Sequence, residues 1–170
     1  MELKDLFKRN NKPFPEIVVD KQNKQWAGML KNLYAGCFSE TVAFLQYLYQ
    51  SYITRINEPQ ISDMLMAIVE DEMEHHEQLA MAIIKLGGNP FYENAGGMVL
   101  PLVCVSNSQN LRDMLRRNIS LEERAILEYK NVADRIDNDS IKELLNRIVE
   151  DEELHRMAFE QILEYVNFYK

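Results

Sequence analysis

Features that mark several protein classes are scarce or missing in this sequence. It has only two cysteines, Cys37 and Cys104, and no Cys-x-x-Cys pair. That count argues against both a disulfide framework and a zinc ribbon. The opening MELKD begins no apolar signal-peptide segment, and no apolar run approaches the roughly 20 residues that a membrane-spanning helix needs. We therefore expect a cytoplasmic protein that does not enter membranes.

Helix breakers and basic clusters are also sparse. The chain has 6 glycines and 5 prolines among 170 residues, which favours long, uninterrupted helices. Its net charge is −8, and lysine and arginine form no block. Nucleic acid and anionic membrane surfaces are therefore not expected as partners. The length fits one domain with a full hydrophobic core.

The few breakers divide the chain into an irregular N-terminal arm, residues 1–22, and four predicted helices. The helices span about 24–56, 59–87, 110–136 and 140–168, within a bundle domain of residues 23–170. Short turns join the first helix to the second and the third to the fourth, while residues 89–109 form a long crossover. This connectivity predicts an all-α antiparallel four-helix bundle made of two helical hairpins.

The two predicted hairpins repeat each other. The segment IVEDE occurs at residues 68–72 and again at 148–152, and His75 recurs as His155 after the same interval. In the other two helices Glu40 and Tyr47 recur as Glu122 and Tyr129. A bundle with pseudo-twofold symmetry follows from this repeat.

Two ionisable residues replace core residues in each copy of the repeat. Apolar residues in the second and fourth helices recur at alternate steps of four and three, and that series places Glu72, His75, Glu152 and His155 on the buried seam. A carboxylate alone in a dry core is costly, and a metal ion removes that cost. Because residues i and i+3 share one face of a helix, Glu-x-x-His offers an oxygen and a nitrogen to one metal cluster.

The other two helices add one carboxylate each. Glu40 lies on the seam of the first helix and Glu122 on the seam of the third, where the repeat favours it over Glu123. Two divalent cations would balance the four carboxylates. One Glu from each of two helices, with Glu-x-x-His from the other two, is a known ligand set for two metal ions in a bundle. Oxygen and imidazole ligands suit iron and manganese alike, so the ligand set leaves the metal open.

Two segments carry a family resemblance. DEMEH at residues 71–75 resembles the second-helix motif of bacterioferritins, and MLRRNISLE at residues 114–122 resembles their third-helix segment. Over about residues 30–165 the chain resembles the ferritin-like di-iron carboxylate superfamily, in its rubrerythrin and bacterioferritin branch. Pro13-Phe14-Pro15 in the arm is similar to manganese-catalase-like relatives.

The resemblance implies a role for each site residue. Glu72 and Glu152 would be the catalytic residues that bridge the two metals. Glu40 with His75 would complete one metal, and Glu122 with His155 the other. Around them, Asp71 and Asp151 would accept hydrogen bonds from the histidines across the bundle, and Tyr47 and Tyr129 would donate to the carboxylates.

The function that follows is a non-haem di-iron redox protein. It would react with dioxygen or hydrogen peroxide as a ferroxidase or peroxidase and would take electrons from an external donor. One alternative is a dimanganese catalase, which needs no reductant. The other is a non-catalytic iron-binding or structural protein whose metal stabilises the fold. The resemblance also suggests a homodimer, with residues 98–103 and the N-terminal arm as candidate contact surfaces; the alternative is that both segments pack on their own bundle.

Three further residues receive a minor interpretation. Cys37 falls on the same face as Glu40 and is predicted to be a small buried core residue, with a redox-active thiol as the alternative. Met73 occupies the position where bacterioferritins bind haem, but we expect no haem here. His76 is predicted to lie on the surface.

Overall fold

The computed structural model describes residues 7–99 and 102–169, and helices dominate that part of the chain. Its five α-helices are α1 (Lys24–Ala35), α2 (Glu40–Thr54), α3 (Pro59–Lys85), α4 (Leu111–Arg135) and α5 (Asp139–Tyr169). None of the described helices is long and apolar enough to cross a membrane. Residues 1–6 of the predicted arm, residues 100 and 101 of the predicted contact surface, and residue 170 lie outside the described residues.

The helices form the predicted bundle of two hairpins. Helix α2 packs against α3 and α4 packs against α5, while α1 continues the first hairpin against the other end of α3. Residues 86–110 connect the hairpins, and the described part of this connection includes a short 3₁₀ turn, Leu102–Cys104. The Asn23 side chain caps α1 by accepting hydrogen bonds from two backbone N–H groups of the first turn, and the Asn110 side chain caps α4 by accepting one. The described residues of the predicted arm, 7–22, contain no helix.

The first predicted helix, residues 24–56, is wrong as a single element. The chain leaves the helix at Gly36, where a Cβ atom would lie 2.5 Å from the carbonyl oxygen of Asn32. It re-enters at Ser39, whose side chain accepts a hydrogen bond from the backbone N–H of Val42 and caps α2. Glu40 therefore lies in the first turn of α2, where the partial positive charge of the helix N-terminus favours a carboxylate.

Both interpretations of Cys37 as a free side chain are also wrong. Cys37 lies in the break between α1 and α2, where it is exposed rather than buried. Its sulfur is bonded to that of Cys104, 67 positions later in the crossover. The break takes Cys37 off the buried seam, because the helical register that put it there ends at Ala35. The disulfide ties the α1–α2 junction to the connection between the hairpins.

We expect the disulfide to contribute to stability without contributing to metal binding. Closing a loop of this length in the unfolded chain stabilises the folded state by about 2–4 kcal/mol. Cys37→Ser should therefore lower the urea midpoint and leave the metal content unchanged. A reducing agent should do the same to the parent chain and nothing to a Cys37→Ser/Cys104→Ser variant. Equal midpoints for the oxidised and reduced parent would contradict this expectation.

Two apolar clusters fill the bundle, one at each end. One cluster contains Leu30, Leu79 and Leu145, and the other contains Leu65, Leu115 and Phe159. On α3 and α5 the buried residues between the two clusters are polar or charged. The fold thus encloses a layer of charged side chains between two apolar clusters.

Candidate metal centre

Six side chains from four helices meet in the charged layer, and each is at most 2% exposed. They are Glu40 on α2, Glu72 and His75 on α3, Glu122 on α4, and Glu152 and His155 on α5. The atoms of these side chains that could bind a metal ion form two overlapping groups, within each of which all atoms lie within 4.8 Å of one another. One group is Glu40, Glu72, His75 and Glu152, and the other is Glu72, Glu122, Glu152 and His155. Glu72 and Glu152 belong to both groups, as a carboxylate that bridges two metal ions must.

The ring of His75 points one nitrogen into the cluster and the other out of it. Nδ1 lies 3.4 Å from Glu40 Oε2 and 3.3 Å from Glu152 Oε1. Nε2 lies 2.9 Å from Oδ2 of Asp151, on the opposite helix. A carboxylate only accepts hydrogen bonds, so the bond to Asp151 places a proton on Nε2 and leaves Nδ1 as the ring nitrogen that faces the other carboxylates.

His155 repeats this arrangement in the other half of the bundle. Its Nδ1 lies 3.2 Å from Glu72 Oε1 and 3.0 Å from Glu152 Oε2. Its Nε2 lies 3.3 Å from Oδ2 of Asp71 on α3. Each histidine is thus paired with the aspartate of the other half, and the two pairs follow the twofold relation of the sequence repeat.

The two tyrosines cross the bundle in the same way. The Tyr47 hydroxyl donates a hydrogen bond of 2.5 Å to Glu122 Oε1, and the Tyr129 hydroxyl donates to Glu40 Oε1. Burial, together with the nearby carboxylates, raises the pKa of both phenols well above the ordinary value. Both tyrosines therefore stay protonated and can act only as donors to these carboxylates.

The cluster without ions is electrostatically unsatisfied. Burial raises the pKa of Glu40 and Glu122, and repulsion from Glu152 and Glu72 raises it further. Burial by itself would lower the pKa of His75, but Glu152 and Asp151 raise it well above the ordinary value. Glu40 Oε2, both oxygens of Glu72 and His75 Nδ1 are buried without a hydrogen-bond partner. Orphaned oxygen and nitrogen atoms that face one another fit divalent cations.

We expect metal uptake to release protons. Where the metal-free pKa of a histidine is raised, the ring carries a proton that must leave before its nitrogen can bind a metal. Metal affinity should therefore fall as the pH is lowered. Calorimetric titration in two buffers of different ionisation heat measures the number of protons released. Identical heats in the two buffers would contradict this expectation.

Known proteins that resemble this chain include a protein family and several metal-dependent enzymes. The profile of the rubrerythrin family matches residues 31–163. The chain belongs to the rubrerythrin family. Among curated proteins, it is 24% identical to a probable manganese catalase of Clostridium acetobutylicum, over 89% of this chain and 76% of that protein. It is 22% identical to a manganese catalase of Bacillus subtilis, over 81% of this chain and 62% of the relative.

Solved structures share the fold of this rubrerythrin-family chain. The manganese catalase KatB from Anabaena superposes with a TM-score of 0.85 over 95% of this chain and 81% of that chain, at 21% identity. The predicted ferritin-like bundle and the two predicted resemblances are thus confirmed. The assignment of the six side chains as ligands and the roles of the aspartates and tyrosines stay predictions.

His76 is half-buried, which differs from the predicted surface position. Its ring stacks on that of Tyr34 with centroids 4.2 Å apart and meets the edge of Phe44 at 5.7 Å. Tyr92 of the crossover adds a second stacked ring at 5.9 Å, and burial lowers the pKa of His76. The crossover and α1 cover this face of α3, which a helix periodicity alone leaves open to solvent.

The residues that contact the two aspartates and the outer sides of the two histidines were not predicted from the sequence. Arg147 is paired with Asp151 and Arg9 with Asp71, while Phe7 and Phe14 of the arm lie against the two histidine rings. The pair of Arg147 and Asp151 has a local signal, since the two residues are four apart on one helix. Nothing local links the arm to α3.

Proposed function

We propose that this chain decomposes hydrogen peroxide at a pair of manganese ions. The observation that carries the proposal is the pair of four-residue groups that share Glu72 and Glu152, with every ligand atom buried. Curated relatives over most of this chain are named manganese catalases, which supports peroxide as the substrate. The predicted di-iron redox protein has the same ligand set and stays as the second candidate.

Decomposition of peroxide balances without a second reductant. A bound manganese pair supplies two-electron redox chemistry, so that one peroxide is oxidised to dioxygen and another is reduced to water. The overall reaction consumes two molecules of peroxide and yields two of water and one of dioxygen. Both cysteines of the chain are in the disulfide, so the chain offers no thiol as an electron donor.

The protein would hold the metal-binding side chains in fixed positions and exclude bulk water from them. Tyr47 and Tyr129 hold Glu122 and Glu40 by one oxygen each, which leaves the second oxygen of each carboxylate for an ion. The aspartates fix the imidazole rings with Nδ1 inward. The apolar clusters on both sides exclude bulk water, which strengthens every electrostatic interaction in the layer.

Iron remains the second candidate because oxygen and imidazole ligands suit it as well as manganese. Membership in the rubrerythrin family also favours iron, because the sequence motifs of this chain resemble those of di-iron proteins. A di-iron centre would act as a ferroxidase or peroxidase and would need an external electron donor. A metal that serves the fold alone is the third possibility.

Metal analysis followed by an oxygen-electrode measurement separates these candidates. Protein purified without added metal should carry two manganese ions per chain, and the manganese-loaded form should release half a mole of dioxygen per mole of peroxide. The zinc-loaded form is the redox-inert control. Peroxide consumption only by the iron form, and only with a reductant, would favour the second candidate. Two bound ions with no peroxide reaction in any form would favour the structural metal.

A further inference from the structure

The two halves of the metal centre hold their aspartates by different means. In the second half, Arg147 Nη1 lies 2.5 Å from Asp151 Oδ2, and the two residues are one helical turn apart on α5. The corresponding position in the first half, four residues before Asp71, is Ala67. Helix α3 therefore has no arginine of its own for Asp71 at the place where α5 has one for Asp151.

The N-terminal arm supplies the missing guanidinium. Arg9 Nε contacts Asp71 Oδ1, while its Nη1 lies 3.2 Å from Glu70 Oε2 and its Nη2 lies 3.2 Å from Glu74 Oε1. The Asp71 side chain is 9% exposed. A guanidinium that contacts three carboxylates on one helix face is held in one orientation, unlike a single exposed ion pair.

The same arm joins the two halves of the centre. The ring of Phe7 lies 5.5 Å from that of His155, and the ring of Phe14 lies 6.0 Å from that of His75. The Arg147 guanidinium lies 4.7 Å above the ring of Phe14. It also donates to the backbone carbonyl of Lys12 at 2.8 Å. Residues 7–14 thus lie over both histidines, supply Arg9 to one half and contact Arg147 of the other half.

We propose that Phe7, Arg9 and Phe14 of this arm belong to the metal centre and that Arg9 is a positioning residue for His155. Arg9 fixes the Asp71 carboxylate, and Asp71 fixes the imidazole that would bind one of the two ions. Arg147 does the same for His75 through Asp151. Without Arg9, Asp71 loses its charge partner and the ring of His155 loses its fixed orientation. The inference rests on the proposed metal site.

The test compares Arg9→Gln with Lys12→Gln. Lys12 is a cation of the same arm, but its partner is Glu150, at 2.7 Å, and that carboxylate is exposed. Loss of a group that orients a metal-binding histidine weakens metal affinity by about 10–100-fold. We expect Arg9→Gln to weaken one of the two ions by that factor and to leave the other unchanged, while Lys12→Gln changes neither. Competition titration with a chromophoric chelator measures both affinities.

Two further measurements separate positioning from folding. With two manganese ions added per chain, Arg9→Gln should show the electron paramagnetic resonance signal of an isolated ion instead of that of a coupled pair. The urea midpoint of its metal-free form should match that of the metal-free Lys12→Gln variant. Ala67→Arg in the Arg9→Gln background places a guanidinium one turn before Asp71, as in the other half, and should restore the second ion.

The outcomes that overturn the inference are distinct from those that overturn the proposed function. Two ions of unchanged affinity in Arg9→Gln, or an equal loss in Lys12→Gln, would overturn the inference alone. If the double variant bound the second ion as weakly as Arg9→Gln does, the guanidinium charge would not be what the arm contributes. That result would also overturn the inference. A parent chain that binds no ions would overturn the proposed function together with the inference.

Discussion

Glu72→Ala should remove both ions and reduce peroxide decomposition to the level of the metal-free protein. Glu72 is fully buried, belongs to both ligand groups and has two orphaned oxygens. Its loss therefore takes an oxygen from each ion at once. His155→Ala should be less severe for binding, because His155 belongs to one group only. We expect that variant to keep one ion and to lose the two-electron reaction, which needs the pair. Elemental analysis of the dialysed variants gives the ion count.

Glu74→Ala is the matched control for these substitutions. Glu74 lies on the same helix two residues after Glu72, but its side chain is 57% exposed and its ion pair is with Arg9 at the surface. Glu74 provides only one of the three contacts of the Arg9 guanidinium, and Glu70 and Asp71 keep the guanidinium in place when that contact is lost. Glu74→Ala should therefore keep two ions and most of the activity. If all three variants kept two ions per chain, the metal site would lie elsewhere.

Removing the ions should lower the melting temperature markedly. The layer between the apolar clusters contains four buried carboxylates, and bound cations would offset their repulsion and desolvation. A ligand at 100 times its dissociation constant stabilises the folded state by about 2.7 kcal/mol. For a domain of this size, that corresponds to about 5–10 °C for each ion. Scanning calorimetry of chelator-treated and reloaded protein measures the shift.

The Glu72→Ala variant provides the control for this second prediction. It should melt at the same temperature with and without added manganese, because it has no site to fill. The melting temperature of the parent should rise with manganese concentration, as mass action requires for a ligand that binds only the folded state. Equal melting temperatures for the loaded and the metal-free parent would contradict the prediction.

The break between α1 and α2 is a feature that helical periodicity does not predict. Apolar residues continue in helical register through residues 33–47, and this pattern hid the interruption between α1 and α2. The breaking signals, Gly36 and Ser39, are local and were present. They also explain why Cys37 is exposed and able to reach Cys104, which no periodicity of the first helix indicates.

The sequence by itself determined the four-helix bundle and the six side chains that meet at its centre. Helical periodicity is a local property, so it fixes which residues of one helix share its buried face, and the repeat fixes which helices correspond. The tertiary structure alone decided which aspartate holds which histidine, where the disulfide closes and that Arg9 replaces an arginine missing from α3. Those contacts join residues far apart in the chain. They depend on how the arm and the crossover lie on the folded bundle, and no spacing along the sequence records that.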